Sequence, residues 1–255
     1  MKVLFVAWQN PDTRQWFTIG RLTSDTAIYQ FCYTQGVYDA QRSSGFCPLP
    51  SFPDLGSVYE AQELFPVFTN RILPKSRPDY GEFIQWLALS EQEDDPMAML
   101  ARSGGRRATD TLALFPCPEL NSEGKYHIHF FVHGLGHASG EAISRAERLQ
   151  MGEQLLVMQD VQNPMASQAL ALRTAEVVPG DMFLLGYFPQ YLLNDLHHLL
   201  THTPDPKTAL IVIVERLNLP PAPVQFRVLC NLTMQWPDSF QPFSSSAYLP
   251  YRQGL

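Results

Sequence analysis

Three arginines stand in a short glycine-containing segment, and their chemistry suits a phosphate group. The segment ARSGGRRATD places Arg102, Arg106 and Arg107 on either side of Gly104-Gly105. Glycines let backbone amides approach an anion, and an arginine fork donates two parallel hydrogen bonds to phosphate oxygens. The segment is therefore a candidate nucleic-acid contact. The alternative is a solvated turn whose arginines pair with nearby acids, namely Asp94, Asp95 and Asp110.

Histidines are concentrated in the segment YHIHFFVHGLGH. If this segment is a strand, His127, His129 and His133 share one face. Two imidazoles placed this way on a strand can bind zinc. No third acidic or thiol ligand lies at a suitable spacing, so an exposed or edge face of a barrel strand is the competing interpretation. We expect no metal site and no cofactor.

Catalytic motifs are missing from the sequence. It contains no GxSxG, no HExxH, no glycine-rich GxGxxG loop and no cysteine–histidine pair in a recognisable context. The acidic run EQEDDP is typical of a solvated turn before a capped helix. We therefore expect a binding protein without enzyme activity.

The bulk properties describe an ordinary globular chain of 255 residues with a net charge of −7. Its four cysteines are widely spaced without a CxxC pair, which favours reduced thiols over a zinc ribbon. No apolar run is long enough to span a membrane, and MKVLFVAWQNPD predicts a first strand, not a signal peptide. We expect a cytoplasmic protein without membrane contact. Its negative charge argues against broad nucleic-acid affinity and leaves room for a local basic site.

The first half of the chain predicts an antiparallel sheet with helices. The runs KVLFVAW, WFTIGRLT and AIYQFCYT are β-rich and separated by turn residues. Three helices are predicted after them. The first carries Leu64, Phe65, Phe68 and Ile72 on one face, the second lies within SRPDYGEFIQWLAL, and the third lies within DDPMAMLARSGG with Asp94 or Asp95 as its cap.

The second half predicts mostly strands, which are YHIHFFV, EQLLVMQ, SQALALR, DMFLLGYF, ALIVIVERL and VQFRVLCNLTM. In the last of these, Val224, Phe226, Val228 and Cys230 lie on one face. Two helices interrupt the strands, one capped by Ser139 and one beginning at Pro189. Short strands with two helices predict a small barrel, so the fold class is α+β. The proline- and serine-rich residues after it predict an extended surface tail.

Part of the second half resembles the HIRAN domain. The run GEQLLVMQDVQNPMASQALAL…FLLGYFPQYLLNDLHHLL carries the marks of that family, which are Asn163-Pro164 in a turn, Gln168-Ala169-Leu170 on a strand, and Gly186-Tyr187-Phe188-Pro189 before a helix. The earlier segment FVHGLGH fits the family's first strand, and the resemblance covers about residues 126–201. It implies a small barrel of the kind whose eukaryotic members bind single-stranded DNA at a free 3′ hydroxyl.

The resemblance also implies a pocket for a terminal nucleotide at the Asn163 turn. The DNA-end binders have a stacking tyrosine where Met165 stands and a hydroxyl-accepting aspartate where Ala166 stands. Their arginine and lysine are replaced here by Gly136 and Gln190. The remaining polar or flat groups are His137, Asn163, Gln168 and Tyr187. Either the pocket still holds an end with low affinity, or the barrel keeps its shape and has changed its ligand.

The first half resembles the N-terminal subdomain of HipA-type toxin kinases over about residues 3–118. The resemblance rests on the ordered segments IGRLT, YQFCYT, LFPVFTNRILP and DDPMAMLARSGGRRATDTLALFP. No HipA kinase core follows, so the resemblance does not imply ATP-dependent phosphotransfer.

Together these observations predict an α+β chain with a HipA N-terminal-like domain at 1–120, a HIRAN-like barrel at 125–236 and an extended tail at 237–255. The expected function is that of a non-catalytic bacterial binding module. It would recognise nucleic-acid ends or junctions with low affinity, within a DNA-processing, defence or toxin-type assembly. The alternative is a protein-interaction or scaffold subunit that has lost DNA binding.

Overall fold

A computed structural model describes residues 2–25, 28–90, 95–163, 168–176, 179–203, 205, 210–236 and 240–252. Its contacts divide the chain into two compact units. Unit 1 comprises residues 1–85, 89–117 and 241–255, and unit 2 comprises residues 86–88 and 118–240. Antiparallel sheets combine with helices, which confirms the predicted α+β class. The domain boundaries predicted from the sequence, at 1–120, 125–236 and 237–255, are not tested by this division and stay a prediction.

Unit 1 is built on a five-stranded antiparallel sheet in the order β4-β3-β2-β1-β5. Its strands are β1 (Lys2–Gln9), β2 (Trp16–Ser24), β3 (Tyr29–Tyr33), β4 (Val58–Ala61) and β5 (Leu112–Pro116). The three strands predicted first along the chain are confirmed. Their inward-facing apolar side chains, among them Val6, Ile19, Leu22 and Phe31, form the core of the unit.

The helices of the N-terminal half are α1 (Gly36–Ser44), α2 (Pro66–Thr69), α3 (Tyr80–Trp86) and α4 (Pro96–Ser103). The cap of α4 is one of the two predicted residues. Asp95 accepts hydrogen bonds from the amides of Met97 and Ala98 at 3.0 and 3.1 Å. Gly104 ends the helix with a φ of 73°, a left-handed conformation that favours glycine. The other predicted cap, Asp94, lies outside the described residues.

The predicted helix through Leu64 and Ile72 is wrong. The structure has a single turn there, α2, because Pro66 begins it and Asn70 ends it. The apolar spacing instead reflects contacts with an aromatic cluster, where the Phe65 and Phe68 rings lie 5.0 and 6.0 Å from Phe52. Three elements of unit 1, α1, β4 and β5, were not predicted.

Unit 2 contains a seven-stranded antiparallel sheet in the order β10-β9-β8-β11-β12-β7-β6. Its strands are β6 (Glu119–Leu120), β7 (Tyr126–Phe131), β8 (Gln154–Asp160), β9 (Ala169–Thr174), β10 (Leu184–Tyr187), β11 (Leu210–Leu217) and β12 (Val228–Met234). The unit also holds α5 (Gly140–Ala146) and α6 (Leu193–His202). Ser139 caps α5 by accepting a hydrogen bond from the Ala142 amide, as predicted.

The last predicted strand begins later than expected. Val224 and Phe226 were placed on its buried face, but they form a 3₁₀ turn after Pro223, and β12 starts at Val228. Proline provides no backbone N–H, so it opens this turn and does not extend the ladder.

Unit 2 shows no continuous ladder that closes the predicted barrel within the described chain. A single antiparallel pair joins His133, two residues beyond the end of β7, to Tyr187 of β10. The two backbone N–H···O bonds of this pair measure 3.0 and 2.8 Å. Gly186 permits the close approach, because a Cβ there would lie 2.3 Å from the His133 carbonyl oxygen. The contact between β7 and β10 therefore requires glycine at position 186, because glycine has no Cβ.

Neither disulfides nor membrane-spanning helices contribute to the fold of the described residues. None of the four cysteines, all of which are described, forms a disulfide, and burial raises the pKa of the Cys230 thiol. A buried thiol of this kind is inert towards oxidation and metal binding. Within the described part of the chain, no helix is both long and apolar enough to cross a bilayer.

Replacing Gly186 by alanine tests the closing contact. The added Cβ would overlap the His133 carbonyl oxygen, so Gly186→Ala is expected to lower the free energy of unfolding by about 1–3 kcal/mol. Urea denaturation is the measurement. Gly140→Ala is the control, because the space around Gly140 is open and its backbone φ is not left-handed. Equal stability of the two variants would contradict the role given to Gly186.

Candidate functional site: an arginine pocket in unit 1

One wall of the candidate site is the loop between β1 and β2. Asn10 is buried, and its side-chain oxygen accepts hydrogen bonds from the amides of Asp12 and Thr13 at 2.8 Å each. Gln9 donates a side-chain hydrogen bond to the Arg14 carbonyl at 2.8 Å. Arg14 has a φ of 62°, a left-handed conformation that costs a non-glycine residue roughly 1 kcal/mol. The loop is thus held in one path, with Arg14 at its end.

The other wall is the segment between α4 and β5, which holds the predicted arginines. Its path is set by Arg71, whose side chain is only 2% exposed. Arg71 donates to the Gly105 carbonyl at 2.9 Å and to the Asp110 carboxylate at 2.6 Å. A backbone bond from Gln9 to the Thr111 carbonyl, at 2.9 Å, joins this segment to β1.

Between the two walls lies a pocket of about 240 Å³. It is lined mainly by polar and charged residues, which are Gln9, Arg14, Trp16, Arg106, Arg107, Ala108, Asp110, Thr111 and Leu112. The Arg106 guanidinium lies over the Trp16 ring, 5.3 Å from its centre, in a cation–π contact. Three arginines therefore meet at one pocket, and two of them, Arg106 and Arg107, were predicted.

The charge of this pocket is not balanced by its own acid. Asp110 is the carboxylate among the lining residues, and its two oxygens are held by Arg71 and by the Leu112 amide. Among the described residues, no ion pair involves Arg14, Arg106 or Arg107. The alternative, in which the segment's arginines pair with nearby acids, is not seen at Asp110, because the buried Arg71 takes that carboxylate.

The environment of Arg106 shows the same imbalance. Desolvation lowers the pKa of Arg106, and the neighbouring positive charge of Arg14 lowers it further. Arginine stays protonated in proteins, so the lowered pKa expresses an unfavourable environment for the cation and not a change of protonation. A bound anion would relieve it. Although Arg106 is exposed as a residue, its guanidinium is partly covered by Trp16.

Arg102, the third arginine of the predicted segment, lies elsewhere. It occupies the last turn of α4, is half-buried and does not line the pocket. The pocket is instead completed by Arg14 and Trp16. Sequence reasoning missed both, because they come from a distant hairpin loop.

The second predicted site, the HIRAN-like turn, lies in unit 2 and has a different chemistry. Asp160, at the end of β8, accepts hydrogen bonds from the Tyr187 hydroxyl at 2.9 Å and the Asn163 side-chain amide at 3.2 Å. Desolvation raises the pKa of Tyr187, and its bond to the Asp160 carboxylate raises it further. Two predicted residues, Asn163 and Tyr187, are therefore brought together by an aspartate that the sequence reasoning missed.

The other residues predicted for this turn are more dispersed. His137 is exposed in a 3₁₀ turn, and Gln190 is exposed at the start of another one before α6. Gln168 is exposed, and its carbonyl lies 2.7 Å from a ring nitrogen of His197. Met165 lies outside the described residues.

The turn is electrostatically unlike the arginine pocket. Within the described chain, no arginine or lysine forms an ion pair with Asp160. An unpaired carboxylate repels phosphate and can accept a hydrogen bond from a hydroxyl. Of the two predicted sites, the arginine pocket of unit 1 therefore has the charge that suits a phosphate.

Among the described residues, the histidines of the strand β7 are not arranged as ligands of a metal ion. The rings of His127 and His129 meet edge to face at 5.9 Å, and a His127 ring nitrogen lies 3.1 Å from the Glu119 carbonyl. His133 lies beyond the end of β7, in the pair with Tyr187. No group of three histidine, cysteine or acidic side chains in the described ranges could hold a metal ion.

Comparison with known proteins gives only distant likenesses. No protein-family model matches the sequence. No curated protein matches it either. A crystal structure of a protein from Lactobacillus plantarum is 17% identical, covers 44% of this chain and 97% of its own, and has a TM-score of 0.32. The HIRAN domain of human HLTF is 16% identical, covers 42% of this chain and 74% of its own, and has a TM-score of 0.29.

These values make the chain a distant structural neighbour of a HIRAN domain and carry no argument about its function. The resemblance of residues 3–118 to HipA-type kinases finds no support in the comparisons.

Substituting Arg71 tests how the pocket is held. Arg71→Met removes the bonds to Gly105 and Asp110, so we expect the free energy of unfolding to fall by about 1–3 kcal/mol, the cost of unsatisfied polar groups. Arg77→Met is the matched control, because its ion pair with Asp79 is on the surface and should contribute little. The stability lost in each variant is measured from the midpoint of its denaturant unfolding curve. A similar loss in both would show that Arg71 holds nothing in place.

Proposed function

We propose that this protein is a non-catalytic module that binds single-stranded nucleic acid through phosphate contacts at the arginine pocket. The observation that carries the proposal is the meeting of Arg14, Arg106 and Arg107 beside Trp16 with no acid paired to them in the described chain. Arginine forks bind phosphate oxygens bidentately, and arginine–aromatic contacts recur in single-strand binding.

The expected binding is local and of modest affinity. Three cations at most neutralise about three phosphates, which predicts a slope of log K against log salt near −2, at about −0.7 per contact for single strands. The net charge of −7 opposes any larger electrostatic contribution. Sequence preference should be small, because phosphate contacts do not read bases.

Recognition of a strand end is the finer part of the proposal. The HIRAN resemblance implies a 3′ hydroxyl at the Asn163 turn, and the Asp160 carboxylate next to the Tyr187 hydroxyl supports this part of the proposal. Asp160 would accept the hydrogen bond from the 3′ hydroxyl, as the family's aspartate does at the position where this chain has Ala166. Membership of a bacterial DNA-processing, defence or toxin-type assembly in the cytoplasm belongs to the same proposal and rests on the resemblance alone.

The pocket is tested by fluorescence anisotropy with a labelled single-stranded oligonucleotide at low salt. Arg106→Ala removes a charge-assisted contact of about 1.5–3 kcal/mol, so we expect a loss of affinity of roughly tenfold or more. Arg42→Ala is the charge-matched control, because Arg42 is exposed on α1 and has no ion pair within the described residues. Equal binding by the two variants, or no binding by the wild type, would refute the proposal.

A protein-interaction role is the second candidate, and exposed apolar side chains in unit 2 favour it. Met158 of β8 and Leu184 of β10 are 44% and 42% exposed, and the nearby Val161 is 69% exposed. Met158 and Tyr187 both pair with Ala171 of β9, which places Met158 on the sheet face that carries the predicted turn. This candidate replaces the first if the wild-type protein binds no oligonucleotide.

A further inference from the structure

The arginine pocket carries more positive charge than an internal phosphate of a strand can balance. A phosphodiester bears a single negative charge, whereas a terminal phosphate monoester bears about −1.5 to −2 at neutral pH. Arg14, Arg106 and Arg107 line one pocket, and the carboxylate of Asp110 is bound by the buried Arg71. The charge of the pocket therefore suits a dianion better than a monoanion.

The size of the pocket points in the same direction. Its volume of about 240 Å³ is below the range of roughly 300–1,000 Å³ that is usual for pockets holding a whole small molecule. One phosphate group with part of its sugar suits this space. An internal diester would bring two flanking sugars to the pocket, and they would have to fit between the loop of Arg14 and the segment of Arg106.

The two walls of the pocket and the Arg106 guanidinium are also held by contacts within the protein. Arg106 lies over Trp16 at 5.3 Å, and Arg14 sits at the end of a loop held by Gln9 and Asn10. The opposite wall is anchored by the bonds from Arg71 to Gly105 and Asp110. Because these walls are fixed in the free protein, binding of a phosphate group costs less conformational entropy.

We propose that the pocket of Arg14, Arg106 and Arg107 binds the terminal phosphate monoester of a nucleic-acid strand in preference to its internal phosphates. The inference rests on the proposed function and assigns the ligand chemistry of the same pocket. The chemistry is common to 5′-phosphate and 3′-phosphate ends, so the experiment compares the two sources.

The test uses the full chain and one single-stranded oligonucleotide in three forms, with a 5′-phosphate, with a 3′-phosphate and with hydroxyls at both ends. Anisotropy is measured with an internal label, so that neither end is blocked. At least one phosphorylated form is expected to bind about tenfold tighter than the hydroxyl form. Arg106→Ala should abolish this preference and Arg106→Lys should reduce it, because lysine keeps the charge but loses the bidentate fork. Arg42→Ala should keep it.

The outcomes separate the inference from the function on which it rests. Equal affinity for all three forms, with a loss on Arg106→Ala, would overturn the terminal-phosphate preference and leave nucleic-acid binding intact. No binding of any form would overturn both. Arg106-dependent binding of a phosphoserine peptide, without binding of any oligonucleotide, would also overturn both and assign the pocket to a phosphoprotein. Thermal unfolding of each variant, expected to match the wild type because Arg106 is exposed, excludes misfolding as the cause.

Discussion

The electrostatics of the candidate site depend on the buried guanidinium of Arg71. Its bond to Asp110 removes the acid that the sequence would pair with the exposed arginines nearby. The same guanidinium bonds to the Gly105 carbonyl, which fixes the turn from which Arg106 and Arg107 project. One side chain therefore sets the path of the segment and removes the acid that would balance part of its charge. Without this contact, Asp110 would be available to the exposed arginines and would balance one of the three positive charges of the pocket.

A comparable constraint acts in unit 2, where it comes from packing and not from charge. The pair of His133 with Tyr187 requires a backbone approach that only glycine at position 186 permits. The closing pair also fixes the position of Tyr187, whose hydroxyl bonds to Asp160. The geometry of the candidate turn thus follows from the contact that brings β7 and β10 together.

The parts of the fold that the sequence predicted correctly depend on neighbours along the chain. Alternating apolar residues marked most of the strands, and the caps Asp95 and Ser139 bond to amides within three residues. The helix predicted through Leu64 failed because its apolar spacing arises from contact with the distant Phe52, and not from a long helix. Periodicity alone does not distinguish these two causes.

The candidate site was only half predictable for the same reason. Arg106 and Arg107 stand next to glycines, which is a local signal, whereas Arg14 and Trp16 reach the pocket through the pairing of β1 with both β2 and β5. The turn residues Asn10, Pro11 and Asp12 indicate a loop. Its sequence does not indicate that the loop contacts the segment of Arg106. Asp160 was missed because its role appears only when β10 brings Tyr187 within reach.

The contrast between the acidic chain and its basic pocket has a consequence for how a polyanion would be recognised. At physiological salt, charges more than about 8 Å apart are largely screened, so the net charge of −7 acts mainly on approach and at low salt. Short-range contacts at the pocket are screened less. The proposed ligand, a single highly charged group, depends on these short-range contacts and not on attraction along a whole strand.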